Sequence, residues 1–252
     1  GPATSWPMHP RRFAAMATAV SFVATLTAAD APSLPPSGAV PAGYRLVYGQ
    51  HFDSPAAVRG FVMSDPKAWQ FAADDTSFAL ALTRQSDYKP AVRSPFNITL
   101  IGDRIFGDFV LEADLIQTGK EYGHRDMCLF FGLRDPGHFY YAHIATKTDD
   151  HAHNIFIVND APRTKISRST TEGVNWGLDI WHRVRLERRG DTVQVYFDDL
   201  TRPIMTAQDA TFGAGWVGFG SFDDTGKVDN IRIWAPTPPE LKTATFFPPA
   251  KP

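Results

Sequence analysis

Hydrophobic and polar positions alternate along most of the chain with a period of two. In Phe109 to Leu115, the residues Phe109, Leu111, Ala113 and Leu115 alternate with Val110, Glu112 and Asp114. This predicts a strand with one face buried and one partly wet. Met127 to Leu133 is apolar on both faces, as a central strand of a sandwich would be. Asp135-Pro136-Gly137 then turns the chain into His138 to Ile144, so these two segments are expected to form a hairpin. Further strands are predicted at Asn154 to Val158, Trp181 to Glu187, Thr192 to Phe197, Gly215 to Ser221 and Lys227 to Trp234, with Arg189-Gly190-Asp191 joining the middle pair. After Asp30 no apolar stripe of helical period runs longer than about two turns. The chain is therefore predicted to be all-β, with one short helix near Pro55 to Gly60 or Ala207 to Ala210.

The two ends depart from this pattern. Met8 is followed by His9-Pro10-Arg11-Arg12, an apolar run from Phe13 to Leu26, and Ala29-Asp30-Ala31, which reads as a secretory signal peptide. The run is too short for a membrane span, and no later stretch approaches the ~18 apolar residues required. Residues 1–31 are thus assigned to the signal peptide and upstream residues, and the protein to a periplasm, a cell surface or the extracellular space. Residues 32–43, rich in Pro, Ser, Gly and Ala, are expected to be a linker, 44–235 a single β-sandwich domain, and 236–252 a Pro-rich tail.

Composition sharpens that picture in three ways. With 43% apolar and 13% aromatic residues the chain can bury a large core. A net charge of -2 without a basic stripe argues against a nucleic-acid partner. The single cysteine, Cys128, forbids an intramolecular disulfide, and its apolar neighbours mark it as a buried small hydrophobe.

Four motifs together carry a resemblance. Gly107-Asp108-Phe109-Val110-Leu111-Glu112-Ala113, Trp181-His182-Arg183-Val184-Arg185-Leu186, Val193 to Asp199, and Gly218 to Asp224 followed by Asp229-Asn230-Ile231-Arg232-Ile233 resemble the concanavalin A-like, laminin-G-like superfamily. More narrowly, the chain is similar to exported domains of the 3-keto-disaccharide hydrolase type, over about residues 45 to 235. The resemblance implies a two-sheet antiparallel jelly-roll β-sandwich and a carbohydrate partner. Its motifs report topology, and this fold serves lectins, hydrolases and lyases alike.

Chemistry concentrates between Lys120 and Lys165, where five of the eight histidines lie between His124 and His153. The period of two puts Phe139, Tyr141 and His143 on one strand face and His138, Tyr140 and Ala142 on the other. His143 is the candidate base, and His124 or Tyr141 the candidate acid. Arg93 or Arg125 is expected to hold substrate, with Lys89, His138, Tyr140, Asn159 and Arg163 as further contacts and Trp176 as a stacking platform. Asp149, His151 and His153 have the types and spacing of metal ligands, and Asp223 and Asp224, with Asp53, suit calcium. One divalent metal, calcium or a transition ion, is the only cofactor these residues suggest. Each candidate also has a plain structural reading: solvated loop for Asp149 to Asn154, turn caps for Asp223 and Asp224, and core for a tryptophan.

Three functions fit. The leading one is an enzyme cleaving a glycoside or an oxidised, 3-keto glycoside, in which a base and an oxyanion stabiliser act beside an acidified C–H. A polysaccharide lyase acting on a uronate glycan needs the same residue types. A non-catalytic glycan-binding module would use these groups only to bond sugar hydroxyls. No Glu-x-Asp-x-x-Glu strand and no Gly-x-Ser-x-Gly elbow occurs, which speaks against the common carboxylate-pair glycanases and Ser-His-Asp catalysis.

Overall fold

The computed structural model describes residues 34–73 and 78–252. The expected signal peptide lies outside the described residues. Two antiparallel sheets face each other. The first runs in the order Ser167–Thr170, Met205–Gln208, Thr192–Phe197, Trp181–Arg189, Phe109–Gln117, Gly226–Ala235, Phe78–Leu82, Trp69–Ala73, with Arg45–Gln50 also on Gly226–Ala235. The second runs Thr164–Lys165, Asn154–Asn159, His138–Ala145, Asp126–Asp135, Trp216–Ser221, Asn97–Ile101, Phe61–Met63. The expected short helix is a 3-10 turn at Pro55–Gly60. Ala207 and its neighbours are instead strand, because Met205 and Ala207 face the core from a strand paired with both Ser167–Thr170 and Thr192–Phe197. Among the described residues no helix is long and apolar enough to cross a membrane.

The main core fills the space between the sheets. Phe109, Leu111, Ala113 and Leu115 meet Met127, Leu129, Phe131, Tyr140, Ala142 and Ile144 across it. The reason Met127 to Leu133 is apolar on both faces is a second layer on the outside of its sheet. There Cys128, Phe130, Phe139, Tyr141 and Phe156 lie under Tyr88, Val92, Phe246 and Phe247. The hairpin sets Cys128 opposite His143 and Phe130 opposite Tyr141. Gly220 lets the neighbouring strand approach, since a Cβ there would stand 1.8 Å from the Asn97 carbonyl oxygen.

Two segments expected to be loose are docked. Residues 236–252 fold back over that outer layer. Glu240–Leu241 pairs with Arg104–Ile105, Trp216 Nε1 donates to the Lys242 carbonyl at 3.0 Å, and Phe247 is buried. Met63 N donates to Pro248 O and Ala250 N to Phe61 O, each at 2.9 Å. Prolines forbid a regular ladder but leave carbonyls and the Phe246-Phe247 pair free to dock. On the opposite side, residues 35–39 cross the outer face of the first sheet. Arg183 and Arg185 donate to the carbonyls of Pro35 and Ala39, and Gly38 N donates to Glu112 Oε2 at 2.9 Å. The face of Phe109–Gln117 expected to be partly wet is consequently buried, with Glu112 and Asp114 0% and 1% exposed. They are tolerated because Arg185 Nη1 reaches Glu112 Oε2 at 2.6 Å and Arg183 Nε reaches Asp114 Oδ1 at 2.8 Å from directly paired strand positions.

Candidate functional site

The site stands where the hairpin Asp126–Asp135/His138–Ala145 meets the end of Trp216–Ser221, on the outer face of the second sheet. A cleft of about 80 Å³ is lined by Arg93, Tyr122, His124, His143, His151, Arg163, Phe222 and Asp223. The guanidinium carbons of Arg93 and Arg163 lie 4.7 and 4.8 Å from the centre of the Phe222 ring. The two segments are fastened together by Arg163 N donating to Arg93 O at 3.0 Å. Neither guanidinium pairs with a carboxylate among the described residues, and the buried Arg163 Nε has no hydrogen-bond partner. Two unneutralised cations held on one aromatic ring form a ready anion site.

Beneath the cleft lies a closed polar knot centred on Asp126. Its carboxylate accepts from Ser221 Oγ at 2.7 Å, Phe222 N at 3.0 Å and Cys128 Sγ at 3.0 Å, and stands 3.2 Å from His143 Nε2. His143 Nδ1 accepts the His153 backbone N–H at 3.1 Å, so the ring proton sits on Nε2 and points at Asp126. Burial, then the nearby His124 and Arg163, push the His143 pKa down to about 3. Above the knot, Asp224 takes the Asp126 N–H and the Tyr122 hydroxyl, each at 3.0 Å. Burial and the adjoining Asp126 carboxyl raise Asp224 to about 8, so it keeps its proton at neutral pH.

At the rim, His124 Nε2 stands 2.5 Å from Asp149 Oδ2 and both are half-exposed. Burial would raise the Asp149 carboxyl, but the bond from His124 and the His151 N–H, 2.7 Å from Oδ1, outweigh it and hold the group below its usual value. His124 Nδ1 has no hydrogen-bond partner among the described residues, so a neutral ring bonded to Asp149 through Nε2 offers its lone pair there. That is the arrangement of an oriented general base.

The structure brings Arg93, His124, His143, His151 and Arg163 together, and places Lys89 beside Arg93 in an adjoining groove. Several expected roles need correction. His143 has both ring nitrogens engaged inside the fold and no lone pair for a substrate proton. Tyr141 is fully buried in the aromatic layer, stacked 5.0 Å from Phe156, and cannot serve as an acid. Tyr140 points into the core, bonded to Asp209 and Phe212 N. Arg125 is buried, donating to Gln117 Oε1 at 2.9 Å and Gly177 O at 2.7 Å. Trp176 is 1% exposed and donates to Ile144 O, so it is core and not a platform. His138 is clasped by Asp135 and Asp160 and pairs with Asn159 at the far end of its strand, roughly 17 Å from His143 by strand rise.

The proposed metal set does not assemble. His153 turns inward, accepting Ala145 N–H at 3.1 Å and bonding Thr171 Oγ1 at 2.9 Å, away from Asp149 and His151. Asp223 and Asp224 join Asp126 and not Asp53, and Asp126 already takes a full set of donors. Asp126, Cys128 and His143 are close enough to share a metal, but Nε2 carries the ring proton while Nδ1 accepts from His153, so neutral His143 has no free ligand atom there.

Tyr122, Phe222 and Asp224 were the functional side chains not singled out for catalysis or substrate binding. Phe222 lies in the Gly218 to Asp224 motif that carries the resemblance, and the strand before it, Trp216–Ser221, pairs with Asp126–Asp135 and so brings the ring to the cleft.

Comparison with solved structures bears on the fold. A carbohydrate-binding module, CBM66, of Bacillus subtilis is similar at 19% identity over 70% of this chain and 96% of its own, with a TM-score of 0.50. A protein of unknown function with a galectin-like fold, also from Bacillus subtilis, is similar at 16% identity over 75% of this chain and 97% of its own, with a TM-score of 0.51. The fold is a concanavalin A-like, lectin-like β-sandwich. No protein-family model and no curated relative matches the chain. At such identities the likeness concerns architecture, and the chemistry must be argued from the cleft.

Proposed function

We propose that the protein is an exported carbohydrate-active enzyme that cleaves an acidic glycan by elimination, removing the proton next to a carboxylate. The observation that carries this reading is the pair of guanidiniums, Arg93 and Arg163, with no carboxylate partner among the described residues, facing the His124–Asp149 pair across one small cleft. Arg93 and Arg163 neutralise the sugar carboxylate and stabilise the charge that develops on its oxygens. His124 Nδ1 takes the proton from the adjacent carbon, whose electrons form the C=C bond as the neighbouring C–O bond breaks. The departing oxygen takes the proton of the Tyr122 hydroxyl, which then regains one from solvent. His124 returns its proton through solvent.

Two alternatives lose ground on geometry. Carboxylate-pair hydrolysis needs two carboxyls that reach the substrate, whereas Asp126 is fully buried with its oxygens taken by Ser221, Phe222 N and Cys128. A 3-keto glycoside would undergo the same proton abstraction, but its neutral carbonyl calls for one donor, and here two full cations converge.

The test is a panel of uronate, 3-keto and neutral glycans followed by ultraviolet absorbance and by new reducing ends. Absorbing, unsaturated products from the uronates alone are expected. His124→Ala should lower kcat by about 10²–10⁴ while leaving uronate affinity nearly intact. Reducing ends without absorbance would replace elimination by hydrolysis, cleavage confined to the 3-keto members would select the oxidised glycoside, and binding without turnover would make the protein a glycan-binding module.

A further inference from the structure

The cleft of about 80 Å³ admits a carboxylate but not a sugar ring, so the rest of a ligand must lie beside it. Arg93 also lines a second, larger groove of about 570 Å³, enclosed by the segment Gln85 to Arg93 and by Phe96. That volume lies within the range of small-ligand sites. The groove is built in advance. Asn97 Oδ1 accepts Ser86 N at 2.7 Å, the buried Asp65 accepts Asp87 N at 2.9 Å, and the Tyr88 ring stands edge-on to Phe247 at 5.5 Å. Ser86, only 5% exposed, belongs to the floor of the groove, with the hydroxyl closed off from solvent.

The charges along the groove are one-sided. Asp87 stands 3.6 Å from Arg84 and 3.7 Å from Lys67, so its charge is already countered. Lys89 is exposed and has no carboxylate partner among the described residues. Tyr88 and Val92 add an apolar wall suited to the C–H face of a sugar ring.

We infer that the groove is a second subsite, holding the sugar next to the one whose carboxylate occupies the cleft, with Arg93 shared between them, Tyr88 and Val92 against the ring face and Lys89 meeting the next carboxylate. The ligand is then a chain of successive acidic sugars and not an isolated one. This rests on the reading of the cleft as a carboxylate site.

A ladder of oligouronates from two to six units separates the subsite from the chemistry when binding is measured by calorimetry alongside turnover. Affinity and kcat/KM should rise about tenfold once the chain is long enough to reach Lys89. Lys89→Ala should remove most of that rise, lowering the long-to-short ratio. Cleavage with no step in length, or a step unaffected by Lys89→Ala, overturns the subsite and leaves the elimination chemistry standing. A length-dependent gain in binding that Lys89→Ala abolishes, without turnover, supports the subsite and overturns the chemistry. No binding by any member overturns both.

Discussion

The two histidines most visible in the sequence, His124 and His143, have opposite fates. The Nδ1 of His143 is occupied by a backbone amide and its Nε2–H by Asp126, whereas His124 is tied at one nitrogen only. His143→Gln should therefore lower stability more than turnover, and His124→Ala the reverse, a split read by urea unfolding beside kcat. The carboxyl knot adds a pH signature. Asp224, raised to about 8, stabilises the fold by holding a proton the unfolded chain has released, and that contribution is lost as pH rises through about 8. His143, lowered to about 3, and His153, lowered to about 4, contribute stability that is lost as pH falls, so below about 6.5 they oppose the Asp224 effect. Between about pH 6.5 and 8 the Asp224 effect acts against neither, and the melting temperature should decline with pH there. In Asp224→Asn that decline should flatten. An unchanged slope would mean the proton resides elsewhere.

At the scale of elements, alternation is what the sequence displays best, and the reason is physical: a strand with one face in the core must place apolar residues two apart. The hairpin containing His138 and the long strands Phe109–Gln117 and Trp181–Arg189 are found where the pattern put them. Strands of three to five residues such as Phe61–Met63 and Asn97–Ile101 escaped, because too few alternations accumulate to register a period. The ladder of Glu112, Asp114, Arg183 and Arg185 was visible as charge on a strand face, but its burial was not, since the covering residues 35–39 look like any flexible Pro/Gly segment. Arg185→Ala would leave Glu112 buried without its cation. A loss of about 3–5 kcal/mol is expected, measurable by chemical denaturation, while replacing Arg232, which stands 3.5 Å from the same carboxylate and is more exposed, should cost far less.

For the whole molecule, the sequence conveyed the class of fold and the neighbourhood of the site, but not the facing of its groups. Which of Arg93, Arg125 and Arg163 opens on solvent depends on strands 30 to 130 residues apart meeting at one corner, information that local periodicity does not carry. The tail illustrates the same limit. Proline density marks a linker when local preference alone is consulted, yet here Phe246 and Phe247 anchor the segment on the second sheet. Phe247→Ala should cost about 3 kcal/mol or more and loosen the Tyr88 side of the larger groove, seen as a lower melting temperature and faster amide exchange in Gln85 to Arg93.

The tail also ends a sheet. Through Met63 N to Pro248 O and Ala250 N to Phe61 O it lies as an extra rung outside Phe61–Met63. The residue of that rung whose backbone turns away is Pro249, which has no N–H to offer. A further chain arriving at this edge finds a missing donor where growth would have to start, so the protein carries its own terminator against stacking edge to edge with copies of itself. A chain ending at Pro239 would expose Phe61–Met63 together with the aromatic layer, and it should associate as its concentration rises in sedimentation runs where the full chain does not.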